Sequence, residues 1–265
     1  MPETPEPSAD RDREPAAERG DGGAPTGAGR GRPVALLAAV AAVAVALAVV
    51  ALTRGGGDDE PAVRTAAGAG AATVEPAYGP VSGTERRNDD DPLAQGRVDA
   101  PVVMVEFADF RCPFCAKFAV DTLPELVRRY VDRGVLRIEW RDFPIFGGES
   151  ERAARAGRAA AAQGRFWEFY AELFAAAPAS GHPDMPLAKL ERFARSAGVR
   201  DIARFRRDVA SKATQGSVDA DRDQALALGI GSTPAFVVNG FPLLGAQPLE
   251  QFVELIERAR GGAGG

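Results

Sequence analysis

Cysteine and histidine are nearly absent from this chain of 265 residues, which has two cysteines, Cys112 and Cys115, and one histidine, His182. So few thiols exclude a disulfide framework that staples the fold. A tetrahedral zinc site would be short of ligands, because the C-x-x-C pair offers two and His182 lies 67 residues beyond it, between Gly181 and Pro183. Those flanking residues make His182 an exposed turn residue with no catalytic role. An excess of positive charge is missing as well: 32 Lys and Arg face 37 Asp and Glu, a formal net charge of -5. No basic patch with interleaved aromatics occurs, which argues against a nucleic-acid partner.

One stretch lacks polarity altogether. Residues 34–52 are 19 consecutive Ala, Val and Leu, and at 1.5 Å rise per residue they reach roughly 28 Å, the hydrocarbon thickness of a bilayer. A transmembrane helix over 34–53 is expected. Cleavage as a signal peptide is the rival reading, and the 33 residues ahead of the run are long for the n-region of a cleaved signal. Arg19, Arg30 and Arg32 on one flank, against Arg54 and Arg64 on the other, favour an inside N-terminus and an extracytoplasmic C-terminal part. Residues 1–33 lack apolar periodicity and read as a disordered cytoplasmic tail, and 54–97, rich in Gly, Pro and Asp, as a flexible linker.

Beyond Asp99 short apolar strands alternate with amphipathic helices, the pattern of an α/β domain over 98–260. Strands are expected at 102–107 and 135–140, with a helix over 112–130 that Pro124 should bend or break. Helices follow at 149–163, 166–175, 186–197, 202–213 and 219–228. The stripe Phe166, Phe169, Tyr170, Leu173 and Phe174 has the spacing of a packing face. Strands at 235–238 and 241–244 flank Asn239-Gly240, a hairpin signal, and a last helix begins near Pro248.

The chemistry sits at Cys112-Pro113-Phe114-Cys115, just after a strand and opening a helix. There the first thiolate meets unpaired N–H groups and the positive end of the helix dipole, which lower its pKa from roughly 8.5. Cys112 is then the reactive sulfur and Cys115, a turn later and more buried, is placed to resolve a mixed disulfide. Pro113 suits the first helical turn.

Several spaced motifs in one order carry a resemblance: Val105-Glu106-Phe107 leading into Phe110-Arg111-Cys112-Pro113-Phe114-Cys115, then Arg141-Asp142-Phe143-Pro144, Phe166-Trp167, and Gly231-Ser232-Thr233-Pro234-Ala235-Phe236. From Ala100 to Arg260 the sequence resembles the DsbA-like family of thioredoxin-fold proteins, in its membrane-anchored Gram-positive form. The resemblance implies a thioredoxin fold with a helical insertion. It implies Cys112 as nucleophile, Cys115 as resolving thiol, and Pro234 as a cis-proline against the active-site pair. Thr233 would help hold an extended substrate, with Pro113 and Phe114 beside it, and Glu106 would be a buried acid assisting proton transfer at Cys115. It further implies a thiol-disulfide oxidoreductase that forms disulfides in cysteine-containing exported proteins, needs no organic cofactor or metal, and is recycled by a membrane quinone-linked partner. One departure stands out: Phe114 occupies the place where many strongly oxidising members have His, so Cys112 should be less acidic and the pair less oxidising than theirs. A reductase or isomerase using the same pair, and a membrane-tethered peptide-binding protein with a structural disulfide, remain as alternatives.

Overall fold

A computed structural model of the chain describes residues 77–261. The expected cytoplasmic tail, the transmembrane helix over 34–53 and the first part of the linker lie outside the described residues. Among the described residues no helix is long and apolar enough to cross a membrane.

Five strands, β1 (Ala94–Gln95), β2 (Val102–Ala108), β3 (Leu136–Asp142), β4 (Ala235–Val238) and β5 (Phe241–Leu244), form one sheet in the order β1-β3-β2-β4-β5. β2 runs parallel to β3 and antiparallel to β4. It is buried on both faces, which is why it reads as an unbroken apolar run. Val103, Val105 and Phe107 pack on one side of the sheet with Phe143, Ala225 and Val237. Met104 and Ala108 face the larger core of Phe118, Trp140 and the helical insert. Glu106, between them in the alternation, therefore projects into that larger apolar core.

The segment after β2 is helical but not uniformly so: α1 (Pro113–Lys117), a π-helical turn (Phe118–Thr122), α2 (Leu123–Leu126) and a second π-helical turn (Val127–Val131). Pro124 explains the irregularity, since without an N–H it cannot make the bond to Val120 that an α-helix requires. The Leu123 N–H instead reaches back five residues to the Phe118 carbonyl. Phe118 is thereby seated against Phe236 and Phe252, with centroids 4.5 and 5.2 Å away.

Between β3 and β4 lie α3 (Gly148–Ala161), α4 (Phe166–Ala175), α5 (Leu187–Ser196), α6 (Ile202–Ala210) and α7 (Lys212–Ala227); α8 (Leu249–Ala259) follows the hairpin. The aromatic stripe of α4 is packing, as expected: Phe110 stacks on Trp140 at 4.8 Å and meets Phe174, Phe169 and Tyr170 at 5.3, 5.8 and 6.3 Å. α3 comes so close that a Cβ at Gly157 would lie 2.8 Å from the Phe110 ring.

Two expectations need correction. The helices placed at 202–213 and 219–228 divide at Ser211, whose hydroxyl accepts the Thr214 N–H at 3.0 Å and caps a single helix running through Gly216. The linker placed at 54–97 is, from residue 77 onward, a strap folded onto the domain. Its Gly79 and Val81 N–H groups bond the carbonyls of Asn239 and Gly240 at 2.7 and 3.0 Å, and its end supplies β1. Buried polar groups on β3 hold it. Glu139 accepts the N–H groups of Arg86 and Arg87 at 2.8 and 2.9 Å, while Arg137 and Arg141 donate to the strap carbonyls of Asn88 and Thr84.

Candidate active site

β2 ends at Ala108, and the loop after it delivers Cys112 to the N-cap of α1. Asp109 shapes that loop: its carboxylate accepts the N–H groups of Arg111 at 2.8 Å and Ile145 at 2.8 Å, while its carbonyl accepts the Cys112 N–H at 3.0 Å. Burial pushes the Asp109 carboxyl up, against the pull of those N–H groups. Arg111 locks the outer side of the loop, donating to the carbonyls of Phe146 and Pro183 at 2.7 and 2.8 Å and pairing with Glu149 at 3.3 Å.

Both cysteines are free thiols, Cys112 2% and Cys115 0% exposed. The Cys112 thiol donates to the Thr233 carbonyl at 3.3 Å, so the loop before β4 lies against the dithiol. The Thr233–Pro234 peptide is cis. Phe114, 61% exposed, projects beside the pair, and Pro113 occupies the first helical turn.

The two thiols differ sharply. The Cys115 S–H is the largest influence on Cys112, and Thr233 and the N–H groups of Cys115 and Phe114 add to it against burial, bringing the Cys112 thiol down from 9.0 to about 6. Among the described residues the buried Thr233 hydroxyl oxygen has no hydrogen-bond partner by geometry; the bond from the Cys112 thiol goes to the Thr233 carbonyl. Burial, followed by the neighbouring Cys112 sulfur, pushes Cys115 well above 9.0. Glu106 is 0% exposed, and burial pushes its carboxyl up to about 8 against the single hydrogen bond it receives, from the Tyr170 hydroxyl at 3.5 Å. Tyr170 also borders a groove of about 520 Å³ between the first π-helical turn and α4.

The structure thus brings Cys112, Pro113, Phe114, Cys115, Glu106, Thr233 and Pro234 to one end of the sheet. His182 is exposed, as its flanking residues imply, but its ring is part of the loop's surroundings: Nδ1 lies 3.1 Å from the Arg111 carbonyl and the ring stacks on Phe146 at 3.8 Å. Sequence reasoning missed this contact, and missed Asp109, Arg111 and Tyr170, because their partners lie 35 to 72 residues away. The neighbourhood of Asp109 and Arg111 to Cys112 was the only local hint.

A family model described as thioredoxin matches residues 88–258. The chain is 33% identical over 148 residues to probable disulfide bond formation protein D of Bacillus anthracis, covering 55% of this chain and 68% of that protein. It is 36% identical over 171 residues to the Na(+)/H(+) antiporter NhaA 1 of Mycolicibacterium vanbaalenii, covering 63% of this chain and 26% of the antiporter. This chain therefore spans about a quarter of that relative's length. Among solved structures, oxidised BdbD from Bacillus subtilis superposes with a TM-score of 0.62 at 25% identity, over 69% of this chain and 98% of that one. With a thioredoxin match over more than half its length and these neighbours, the chain belongs to the DsbA-like branch of the thioredoxin family.

Proposed function

We propose that this protein is a thiol-disulfide oxidoreductase that forms disulfides in other proteins through Cys112 and Cys115. The observation that carries the reading is the split between the two thiols, one brought down to about 6 and the other pushed well above 9.0, with a protonatable carboxyl buried beside them. At neutral pH Cys112 is mostly thiolate and Cys115 is a thiol. Stabilising the Cys112 thiolate favours the dithiol over the disulfide, and so makes the oxidised pair an oxidant.

In the forward reaction a substrate thiolate attacks Cys112 Sγ of the Cys112–Cys115 disulfide. The bond between the two protein sulfurs breaks, and Cys115 leaves as a thiolate that takes a proton from Glu106. A second substrate thiolate then attacks the substrate sulfur of the mixed disulfide and releases Cys112 as a thiolate, so the substrate gains a disulfide and the protein becomes the dithiol. Thr233 and Pro234 offer backbone to an extended substrate next to Cys112, while Pro113 and Phe114 supply the apolar rim that an unfolded chain would meet. No organic cofactor takes part. Reoxidation requires an electron acceptor outside this chain, and a membrane quinone-linked partner fits that need. Exported cysteine-containing proteins are the fitting substrates, with the domain on the extracytoplasmic side, since disulfides persist there.

The test is the reduction potential of the pair in glutathione buffers, read by thiol labelling, together with two variants. A value near or above about -180 mV supports disulfide formation, whereas one near -250 mV or below assigns a reductive role. Cys112→Ala should abolish exchange and Cys115→Ala should accumulate mixed disulfides. Unimpaired exchange by Cys112→Ala would defeat the assignment.

A further inference from the structure

Cys115 is sealed from solvent and must gain or lose a proton in each half-reaction. Glu106 is the acid at hand, but it is itself fully buried, one carboxylate oxygen has no partner among the described residues, and its cross-strand neighbours are Trp140 on β3 and Phe236 on β4. An unanchored carboxyl among apolar side chains would be free to turn away from the thiol, and its ionised form would have nothing to hold it. Besides the Cys115 thiol it serves, one polar group from outside the sheet hydrogen-bonds it: the hydroxyl of Tyr170, carried by α4 of the helical insert, 3.5 Å from Oε1.

Building on the exchange reaction proposed above, we infer that Tyr170 is a positioning residue for Glu106, holding the carboxylate in place and stabilising its ionised form so that it can take the Cys115 proton. The Tyr170 ring is fixed for this task, edge-on to Trp140 at 5.5 Å and to Phe174 at 4.7 Å. A phenol suits it chemically. It donates a hydrogen bond to a carboxylate and, being pushed well above 10.0 by burial and by the nearby charges of Glu106 and Cys115, it stays protonated throughout the working range. The titratable groups that face Glu106 are Cys115 from α1 and Tyr170 from α4, while β3 and β4 present aromatic rings.

The consequence lies in one step. When the reduced protein meets an aromatic disulfide, the Cys112 thiolate attacks it and releases one aromatic thiolate. Glu106 then takes the Cys115 proton, the Cys115 thiolate bonds to Cys112 Sγ, and the bond to the reagent breaks to release a second thiolate. The dithiol is oxidised and the reagent reduced to two thiols. The first release reads Cys112 alone, and the second reads Cys115 and its base.

The experiment follows both releases by stopped flow with 5,5′-dithiobis(2-nitrobenzoate) and the full-length protein from acid to alkaline pH, in wild type, Tyr170→Phe, Glu106→Gln and the double variant. In Tyr170→Phe the second phase should lose rate severalfold at neutral pH. Its pH profile should move up by about half a unit to one unit, the scale of one long hydrogen bond to a carboxylate, and the first phase should be unchanged. The double variant should behave as Glu106→Gln does. A Tyr170→Phe profile that superimposes on wild type, or a Tyr170→Phe effect that persists undiminished in the Glu106→Gln background, overturns the inference. Absence of any second release in the wild type would instead overturn the exchange reaction itself, so the two failures are told apart.

Discussion

Glu106 carries its proton at neutral pH because its surroundings cannot solvate a charge. Its pKa in the native state, about 8, lies above the ordinary 4.5, so the folded protein holds a proton that the unfolded chain gives up. That contribution to stability is complete below about 4.5 and falls by about 1.4 kcal/mol per pH unit as the pH rises to about 8. Cys112 works in the opposite sense in the reduced protein. Its pKa is depressed from 9.0 to about 6, so its contribution is present above 9.0 and is lost as pH falls through 6. Comparing Glu106→Gln with wild type in the same redox state isolates the first effect. The variant's melting temperature, relative to wild type, should rise steadily between pH 5 and pH 8, and a difference independent of pH would contradict a buried, protonated Glu106. Phe114 allows a second test of the same electrostatics. It contributes only its N–H to the Cys112 thiolate, since its ring is neutral. Phe114→His would set an imidazolium close by and should lower the Cys112 pKa by about 1 unit, making the pair roughly 30 mV more oxidising. Thiolate ultraviolet absorbance against pH and glutathione equilibration check the two halves. Identical titrations in the two proteins would mean that the exposed ring at 114 points away from the sulfur.

The hairpin of β4 and β5 shows how one element serves the site from a distance. Asn239 and Gly240 both take positive φ, 42° and 82°, which matches the right-handed twist of the strands they join. Asn239 does more than turn the chain: its side-chain oxygen accepts the Val103 N–H at 2.8 Å and its amide donates to the Pro101 carbonyl at 3.0 Å. The turn thereby pins the start of β2, the strand whose far end carries Glu106 and leads to Cys112. Asn239→Ala leaves a buried N–H without a partner and should cost about 2 kcal/mol, seen as a lower denaturant midpoint at unchanged slope. A loss below about 0.5 kcal/mol would mean that water replaces the side chain. At this scale much was legible in the sequence, because apolar periodicity and turn chemistry are local: β4 and β5 were read to the residue, β2 and β3 to within two at each end, and the break at Pro124 was anticipated. The division at Ser211 was not, because a serine cap competes with a helical pattern that continues on both sides, and Gly216 looks like a terminator although a Cβ there would meet only open space. The placement of Cys112 and Cys115 at the start of a helix was legible for the same local reason. Tyr170 was not, since its spacing on α4 marks it as packing and its hydroxyl partner is 64 residues earlier in the chain.

The domain as a whole begins well before its first long strand, and nothing in local patterning announces this. The strap from 77 to 97 has no apolar rhythm because it is held mainly by hydrogen bonds and ion pairs, although Leu93, 3% exposed, also enters the core. On β3 the residues Arg137, Glu139 and Arg141 are 2%, 0% and 1% exposed, so that face of the sheet holds charges whose partners must come from somewhere. Part of the answer is the strap: burial works against ionising Glu139, but the backbone N–H groups of Arg86 and Arg87, with the guanidinium groups of Arg137 and Arg141, outweigh it and hold the carboxyl near 2. Arg86 also donates to the Trp140 carbonyl at 2.7 Å and pairs with Asp221 of α7 at 3.4 Å, tying strap, sheet and insert together. A fragment cut at residue 98 would keep Glu139 with its Arg137 and Arg141 partners, and would remove the strap N–H groups that Glu139 accepts and the strap carbonyls to which Arg137 and Arg141 donate. Any such group that the rest of the fold still shields from water costs about 1–3 kcal/mol, and loss of the Leu93 side chain from the core adds about 2 kcal/mol. Against the roughly 5–15 kcal/mol that holds an ordinary domain folded, these losses are a large fraction. A 77–261 fragment should therefore unfold cooperatively with heat, while 98–261, which spans both cysteines and every strand but β1, should melt far lower or show no cooperative transition by circular dichroism. Melting of the two fragments within a few degrees of each other would show that the strap rests on a sheet that stands without it.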